Sequence, residues 1–488
     1  MASIKELREE RIKKLEILKE MGVEPYPALS SREFPLRDVF DNFLKLSKRK
    51  KRIIVAGRVR ALRKQGGLIF VNIDDGTGAL QGMLKKNEIK EDAFQLFVNT
   101  VDIGDFVEFA GSLFVTKRKE KTIQVNEWKM LSKSLMPLPD KWHGLQDKEE
   151  RFRKRYLDTI MSPEVKNRFI FRSNLIAEIR SFLNNNGFLE VETPILQPHA
   201  GGATALPFVT HHNALDMDLY LRIAPELYLK RLLVGGFPKV YEIGRNFRNE
   251  GIDATHNPEF TMLEFYESYS NAKKQMELVE CMIKNFGKKI LNKMTIEYNG
   301  DKISLSRKFI RISYFDLLKR HALISNPETI KKEELALKAQ QLGVEVDKAD
   351  SMSKIMDNIY KKTCRPKLMQ PTFITDFPMQ MLPLAKKKSG EENIVDAFQL
   401  VIGGIEIAKG FSELNDPIDQ AKRFEMQEKD KREGDEEAQT SDNDFLEAME
   451  YGMPPSGGVG IGIERLTMLL ADVQNIREII LFPTLRKK

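Results

Sequence analysis

The chain reads Phe247-Arg248-Asn249-Glu250-Gly251 and, after four intervening residues, His256-Asn257-Pro258-Glu259-Phe260-Thr261. Apolar runs flank the stretch, Val240–Ile243 before it and Phe260–Phe265 at its end. Such runs predict two strands joined by a loop. An arginine fork can bind a phosphate through two hydrogen bonds, and an aromatic face can stack on a base. Arg248 and Phe260 therefore predict a nucleotide site at this loop.

Two further segments share the region, and each alone is compatible with a plain structural role. The earlier one reads Gly187-Phe188-Leu189-Glu190-Val191-Glu192-Thr193-Pro194. A helix ends at its glycine, a strand follows, and proline ends the unit. The later one reads Gly460-Ile461-Gly462-Ile463-Glu464-Arg465-Leu466 and enters an apolar helix. Its glycines permit close backbone approach, although they complete no dinucleotide fingerprint.

In this order the three segments resemble motifs 1, 2 and 3 of the class II aminoacyl-tRNA synthetases. The resemblance implies a homodimer that pairs through motif 1 and a nucleotide held by motifs 2 and 3. Strands and helices mix in this region without regular alternation, which predicts an antiparallel sheet flanked by helices. That sheet is the one expected of a class II catalytic domain.

A separate β-rich region lies nearer the start of the chain. Five short runs predict strands, with Gly66-Gly67 and Asp75-Gly76-Thr77-Gly78 as turns. The runs are Ile53–Val59, Leu68–Ile73, Leu80–Leu84, Phe106–Val115 and Thr122–Val125. A helix predicted near Glu88–Val98 precedes the fourth strand. This order favours an OB-fold barrel, a common platform for nucleic acids.

The expected fold class is α+β, with the barrel before the catalytic domain. We expect an N-terminal helical extension at 1–50, the OB-fold anticodon-binding domain at 51–136, a linker at 137–160 and the catalytic domain at 161–488. A helical insertion is expected at about 271–371. Prolines in Met136-Pro137-Leu138-Pro139 support the linker. Ser3 and Glu6 predict a capping box at the first helix.

The barrel-first order is similar to subgroup IIb, whose members charge lysine, aspartate or asparagine. Three segments look closely like the lysyl-tRNA synthetases: Tyr220–Leu232, His256–Tyr266 and Gly410–Pro417. The resemblance implies a lysine–tRNA ligase that activates L-lysine with ATP to lysyl-adenylate, releasing pyrophosphate. It then transfers lysyl to the 3′-terminal adenosine of tRNA(Lys). An ammonium on a long stem needs carboxylates and apolar surface.

By resemblance, Glu226 and Gly202 hold the α-amino end of the lysine, and Arg248 contacts both its carboxylate and the α-phosphate. The residues implied around the ε-amino end and the stem are Glu264, Tyr266, Glu413 and Phe411. A pocket for aspartate would instead present cations. The acidic composition therefore favours lysine.

The resemblance also assigns the ATP contacts. Glu250 and Asn257 would read the adenine side, and Phe260 would stack on the ring. His256 and Arg465 would hold the outer phosphates. Arg248 and Arg465 would stabilise the charge that grows on the phosphate oxygens, so they are the expected catalytic residues.

The metal expected at the site is Mg²⁺, coordinated by Glu406 and bridging the phosphates. Gly462 would let the backbone approach the nucleotide. The sequence departs from the family pattern at two positions. Gln399 stands where an acid usually partners Glu406, which leaves the number of Mg²⁺ ions open. Lys409 stands where lysyl enzymes usually have asparagine, which leaves the fine geometry of the pocket open.

On the barrel, Arg63, Phe70 and Gln81 match positions that read the anticodon in subgroup IIb. An aromatic side chain can stack on an unpaired base, while Arg and Gln can bond its edges. The alternative is that Phe70 belongs to the barrel core. Alternation along the strand places Phe70 opposite Ile69 and Val71, which favours the outer face.

Composition sets broader limits. The net charge of +7 over 488 residues is compatible with a polyanionic partner. Cys281 and Cys364 have no metal-ligand spacing, so zinc and disulfides are not expected, and this fits a reducing compartment. We see no apolar signal segment and no membrane-length apolar run, and we expect a cytoplasmic protein.

Three alternatives stay open at this point. One is an aspartyl or asparaginyl enzyme of the same subgroup, which the acidic pocket disfavours. Another is a paralogue that lysylates a protein; that class lacks the barrel. The third is a catalytically silent RNA-binding paralogue, against which the intact Arg248, Glu406 and Arg465 argue.

Overall fold

The computed structural model describes residues 3–48, 51–139, 145, 147–203, 205–347, 350–432 and 441–486. The chain forms two compact units, Met1–Leu145 and Gln146–Lys488. The first unit contains the β-rich region, and the second contains the three motif-like segments.

The first unit is built on a closed barrel of β-strands. Its helices are α1 (Ile4–Glu20), α2 (Leu36–Asp41), α3 (Phe43–Lys48) and α4 (Glu91–Thr100). Its strands are β1 (Ile53–Gln65), β2 (Leu68–Asp74), β3 (Ala79–Lys85), β4 (Phe106–Val115) and β5 (Lys121–Ser132). The order around the barrel is β1-β2-β3-β5-β4, with α4 between the third and fourth strands. The predicted OB-fold is confirmed.

Burial alternates along the barrel strands. In β2, Ile69, Val71 and Ile73 are buried, whereas Phe70 is partly exposed. Side chains two residues apart share a face, so one face of β2 fills the barrel and the other lies outside it. The predicted outward position of Phe70 is therefore confirmed.

Helix α1 begins with the predicted capping box. The Glu6 amide donates to Ser3 Oγ at 3.2 Å, and the Ser3 amide donates to Glu6 Oε2 at 2.6 Å. Leu18 is fully buried against the barrel core. The Arg11 guanidinium donates to the Ser134 carbonyl at 3.0 Å. Apolar and polar contacts together hold α1 on the barrel.

The second unit contains a large mixed sheet and its helices. The helices are α5 (Lys148–Arg153), α6 (Arg155–Met161), α7 (Pro163–Asn185), α8 (Glu226–Val234), α9 (Ala272–Lys289), α10 (Tyr314–Leu317), α11 (Lys332–Gln341), α12 (Met352–Ile359), α13 (Pro417–Arg432), α14 (Asn443–Glu450) and α15 (Ile463–Leu470). The strands are β6 (Leu189–Glu190), β7 (Leu196–Gln197), β8 (Phe208–His212), β9 (Met217–Leu221), β10 (Lys239–Phe247), β11 (Glu259–Ser268), β12 (Thr295–Tyr298), β13 (Asp301–Ser304), β14 (Ile310–Ser313), β15 (Thr372–Pro378), β16 (Ile394–Ile402), β17 (Ile405–Ser412) and β18 (Ser456–Gly462).

Eight of these strands form one sheet in the order β14-β15-β16-β17-β18-β11-β10-β6. The pairs β14–β15 and β10–β6 are parallel, and the other neighbours are antiparallel. The predicted antiparallel sheet flanked by helices is confirmed.

One face of this sheet packs on helices α7, α9 and α15. Leu263 and Phe265 of β11 belong to that core, together with Val279 from α9. Because side chains alternate along a strand, Glu264 and Tyr266 of β11 lie on the opposite face. The acidic residues predicted to bind substrate are thus held on a strand whose other side is anchored in the core.

The strand predicted within Gly187–Pro194 is shorter than expected, with only Leu189–Glu190 pairing in parallel with β10. After one further main-chain bond, from the Val191 amide to the Tyr241 carbonyl at 2.9 Å, the chain is held by side chains. Thr193 Oγ1 donates to Glu242 Oε2 at 2.7 Å, and the Arg222 guanidinium donates to the Thr193 carbonyl at 3.3 Å. These bonds replace a strand ladder, which explains why the regular pairing stops.

Among the described residues, none of the helices combines the length and the apolar composition that crossing a membrane requires.

Candidate active site

Arg248 stands at the base of the loop between β10 and β11. These strands pair antiparallel, ending with Phe247 opposite Glu259. One residue further, the Arg248 amide donates to the Pro258 carbonyl at 2.8 Å. The loop is therefore closed by main-chain pairing on both sides of Arg248, which fixes where its side chain starts.

The guanidinium of Arg248 lies among aromatic and acidic groups. Its Cζ is 5.1 Å from the centre of the Phe260 ring. Burial lowers the pKa of Arg248, while the charges of Glu250, Glu264 and Glu406 act to raise it. Its Nε is buried and has no hydrogen-bond partner within the described ranges. A buried donor without a partner is suited to a ligand oxygen.

Arg465 connects two other predicted residues at the far side of the site. Its Nη2 is 2.8 Å from His256 Nε2, and its Nη1 is 3.7 Å from Glu406 Oε1. Because Nε2 accepts from Arg465, the ring proton lies on Nδ1, which donates to Asp253 Oδ2 at 2.8 Å. The structure thus brings His256, Arg465 and Glu406 together, as a phosphate-binding group requires.

Asn257 also offers an unpaired group. Its Nδ2 donates to the Glu259 carbonyl at 2.7 Å, whereas its buried Oδ1 has no partner in the part of the chain that is described. Asn257 also lines a cavity of about 270 Å³ between α7 and the C-terminal segment. None of the acidic residues predicted to bind lysine lines this cavity, so it is separate from the lysine pocket.

That pocket is a buried group of acids on β11, α8 and the end of β17. Glu264 and Glu413 are 3% and 1% exposed. The Tyr266 hydroxyl donates to Glu264 Oε2 at 3.0 Å. Lys230 Nζ lies 2.6 Å from Glu226 Oε1 and 2.5 Å from Glu413 Oε2. Four predicted lysine-binding residues therefore meet in one place.

The carboxylates of the pocket outnumber the positive charges that could balance them. Burial raises the pKa of Glu264 to about 8, and the charge of Glu226 adds to this effect. Burial likewise raises the pKa of Glu413 to about 8, against the opposing effect of Lys230. Glu413 Oε1 is buried and has no hydrogen-bond partner among the described residues. An added ammonium would supply both the missing positive charge and the missing hydrogen-bond donor.

Glycines make room for these side chains. A Cβ at Gly458 of β18 would overlap the Tyr266 ring and Glu413 Oε1. Gly202 has φ +86°, and a Cβ there would lie 3.0 Å from the Glu226 Cβ. Gly202 is thus placed against Glu226, as predicted for a shared amino-group site.

The residues present offer one carboxylate to a magnesium ion, Glu406, and not two. Glu406 is a partly exposed carboxylate beside Arg465. Gln399 donates its amide N–H to Glu406 Oε2, and its carbonyl accepts from the Tyr360 hydroxyl. Both polar atoms of Gln399 are therefore engaged. No group of three potential acidic, histidine or cysteine ligands occurs among the described residues. Mg²⁺ often uses one carboxylate together with substrate phosphates and water, and Glu406 meets that need.

The positive charge of Lys409 influences the carboxylate of Glu406. It is the cross-strand partner of Gln399 on β16 and of Gly460 on β18. Although burial raises the pKa of Glu406, the charges of Arg465 and Lys409 leave it below its ordinary value. The unexpected cation therefore adds positive charge at the phosphate end of the site.

On the barrel, the three predicted anticodon residues lie on adjacent strands. Arg63 of β1 is the cross-strand partner of Phe70, and Gln81 of β3 is the partner of Asn72. Gln81 Oε1 accepts from the Thr122 hydroxyl at 3.0 Å. Their placement on neighbouring outward positions is compatible with base recognition, which stays a prediction.

Sequence reasoning missed two residues of the site. Lys230 follows Glu226 by four positions in a helix that is otherwise mostly apolar, and this spacing is a readable signal for an ion pair. Tyr360 comes from a helical segment that is distant in sequence from Gln399. No local pattern points to that contact.

The chain is similar to known protein families over almost its whole length. Residues 147–486 match the family described as tRNA synthetases class II (D, K and N). Residues 53–131 match the OB-fold nucleic acid binding domain described as tRNA_anti-codon. The first match covers the second unit and its pocket, and the second covers the barrel.

Individual relatives extend over both units. A protein named lysine–tRNA ligase from Pelotomaculum thermopropionicum is 48% identical over 488 residues, covering 99% of this chain and 96% of the relative. One of the same name from Carboxydothermus hydrogenoformans is 46% identical, covering 99% of each chain. Another from Enterococcus faecalis is 46% identical, covering 98% and 96%.

Proposed function

The chain belongs to the class II tRNA synthetases, and on this premise we propose that it is a lysine–tRNA ligase that works through the acidic pocket described above. The observation that supports lysine is the buried set Glu264, Tyr266 and Glu413, in which Glu413 Oε1 lacks a donor. An ammonium group supplies the missing donors and charge. A substrate with a carboxylate side chain would add a further negative charge to a pocket that is already acidic.

The two ends of the lysine are held by different groups. Glu226 and Gly202 take the α-amino group, while Glu264, Tyr266 and Glu413 take the ε-amino group. The Phe411 ring, which lies 5.3 Å from Lys230 Nζ, packs near the stem. Arg248 binds the substrate carboxylate, supported by its unpaired buried Nε. This arrangement fixes the carboxylate that must attack ATP.

ATP lies between motifs 2 and 3. Phe260 stacks on the adenine, and Glu250 and Asn257 contact its edge; the unpaired Asn257 Oδ1 supports this role. His256 and Arg465 hold the outer phosphates, supported by their 2.8 Å contact. The glycine at Gly462 allows the backbone to approach the nucleotide.

Glu406 would hold one Mg²⁺, which would neutralise charge on the phosphate oxygens when it is bound. Gln399 is engaged by Tyr360 and Glu406, so it adds no carboxylate to this site. Lys409 supplies positive charge nearby. We therefore infer that Glu406 is the one carboxylate that binds Mg²⁺ at this position, where a site with two acids would supply two.

In the first reaction step, an oxygen of the lysine carboxylate attacks the α-phosphorus in line, and pyrophosphate leaves. Arg248 and Arg465 stabilise the growing negative charge, and no enzyme nucleophile is needed. In the second step, a ribose hydroxyl of the terminal tRNA adenosine attacks the lysyl carbonyl, and AMP leaves. The barrel face with Arg63, Phe70 and Gln81 reads the anticodon of tRNA(Lys).

We also propose a homodimer that pairs through the segment after α7. Leu189, Ile195 and Leu196 are 51%, 45% and 46% exposed. The preceding helix α7 adds little to this surface, because its Ile179 and Leu183 are fully buried in the core of their own unit. The two free cysteines and the substrates fit the cytoplasm.

Aminoacylation tests the proposal. Purified tRNA with a lysine anticodon is incubated with ATP, Mg²⁺, the protein and one labelled amino acid at a time. We expect acid-precipitable label with lysine only. Charging with aspartate or asparagine but not lysine would contradict the assignment, and no charging with any amino acid would support a silent paralogue.

A further inference from the structure

Lys230 is a fully buried cation at the centre of the acidic pocket. It lies on α8, four residues after Glu226, and its side chain is 1% exposed. Its Nζ contacts Glu226 Oε1 at 2.6 Å and Glu413 Oε2 at 2.5 Å. The Phe411 and Phe445 ring centres lie 5.3 and 6.0 Å away. The ammonium is thus held by two carboxylates and by aromatic faces.

The two carboxylates come from parts of the chain that are far apart in sequence. Glu226 begins α8, and Glu413 follows the end of β17. Within the described residues, Lys230 is the side chain that forms ion pairs with both. Buried carboxylates without a counter-charge repel each other or become protonated. Lys230 therefore attracts both carboxylates and holds them at one separation.

We propose that Lys230 is a specificity-determining positioning residue, which sets the distance between the carboxylates that bind the two amino groups of the substrate. The inference rests on the proposed function, in which Glu226 takes the α-amino group and Glu413 the ε-amino group. A diamino acid of the right length then satisfies both carboxylates at once. Ornithine is one methylene shorter, so it should bind this pair of carboxylates less well than lysine does.

The contact geometry separates this role from direct binding. Glu413 Oε2 forms the ion pair with Lys230, whereas Oε1 has neither an ion-pair nor a hydrogen-bond partner among the described residues and is left for a ligand. Lys230 acts on the substrate through Glu226 and Glu413. Its removal should therefore reduce the preference for lysine over ornithine, in addition to weakening binding.

The test is ATP–pyrophosphate exchange with lysine and with ornithine, comparing the wild type with Lys230→Met. Methionine keeps the stem length and removes the charge. We expect the KM for lysine to rise by about tenfold or more while kcat changes much less. The preference for lysine over ornithine in kcat/KM should fall by about tenfold, the size of effect that one methylene usually has.

The matched control is Lys133→Met. Lys133 is also a buried lysine with two carboxylate partners, Asp102 at 2.6 Å and Asp105 at 2.8 Å, but it lies in the first unit. Its loss should lower the melting temperature and leave the lysine-to-ornithine ratio in exchange unchanged. A ratio that shifts equally in both variants would show that general destabilisation is the cause.

An unchanged lysine-to-ornithine ratio in folded Lys230→Met would overturn the inference, even if the KM for lysine rose. If Lys230→Met does not fold, Lys230→Arg decides. A guanidinium keeps the charge but spaces two carboxylates differently, so the ratio should again fall, and an unchanged ratio would overturn the inference. Wild-type exchange that is independent of lysine would instead refute the proposed function itself.

Discussion

The hydroxyl of Tyr266 donates a 3.0 Å hydrogen bond to Oε2 of Glu264, two residues earlier on the same strand. Residues i and i+2 of a strand lie on one face, so β11 alone builds this pair. The core packing of Leu263 and Phe265 on the other face holds the strand in place. The pocket is thereby oriented before any substrate arrives, which is what selective binding of an ammonium requires.

The KM for lysine should fall as pH rises from about 6.5 to 8.5, since the substrate ammonium stays charged up to roughly pH 10. Burial raises the pKa of both Glu264 and Glu413 to about 8. Below that value each acid is mostly protonated and neutral, and above it each is ionised and attracts the ammonium. The two acids titrate as a coupled group. Exchange kinetics across this range measure the effect, with the KM for ATP as internal control. A KM for lysine that is flat or rises with pH would contradict the expected ionisation.

Arg248→Ala should reduce the rate of lysine activation by about two to three orders of magnitude, as loss of a transition-state donor usually does. The charges of Glu264 in the lysine pocket and of Glu250 and Glu406 at the nucleotide site all act on this guanidinium, so the variant should lose contacts to both substrates. Arg245→Ala is the control, because Arg245 lies on the same hairpin with its side chain 43% exposed. Near-normal adenylation in Arg248→Ala would show that the nucleotide site lies elsewhere.

Phe70→Ala should weaken tRNA charging and leave lysine activation almost intact. A lost base stack corresponds to roughly 1–3 kcal/mol per base. Because Phe70 is partly exposed, the melting temperature of the variant should change little. Val71→Ala provides the comparison, since Val71 is fully buried and its truncation should lower the melting temperature. If Phe70→Ala instead destabilises the barrel as Val71→Ala does, Phe70 has a structural role.

Leu189→Asp should shift the protein from dimer to monomer and lower the activation rate. The side chain is 51% exposed within the motif 1 segment, and a charge there would be desolvated in an interface. Leu215→Asp is the control, because Leu215 is 65% exposed in the turn between β8 and β9. Sedimentation velocity at micromolar concentration gives the masses. A wild-type protein that is monomeric and fully active would refute the proposed dimer.

Local rules explain what the sequence could predict. The capping box of Ser3 and Glu6 and the alternation around Phe70 depend on residues a few positions apart, and both were correct. Alternation along an apolar strand also accounts for the position of Glu264 opposite the core. The site motifs were recognised because their residues are close in sequence.

Long-range contacts explain what the sequence could not predict. Lys230 becomes a central cation only when Glu413, far along the chain, folds against α8. Tyr360, from a helical segment distant in sequence, donates to Gln399 in the same way. The strand after Gly187 is cut short because Arg222 and Glu242 bind Thr193 through side chains. Such contacts depend on the whole fold, and no spacing rule contains them.

The most direct test of the central claim is ATP–pyrophosphate exchange measured with each of the twenty amino acids in turn, at equal concentration and with Mg²⁺ present. The acidic pocket of Glu264, Tyr266 and Glu413 predicts exchange with lysine that exceeds exchange with every other amino acid, and Glu413→Gln should lose most of it. Exchange supported by aspartate or asparagine and absent with lysine would contradict the assignment.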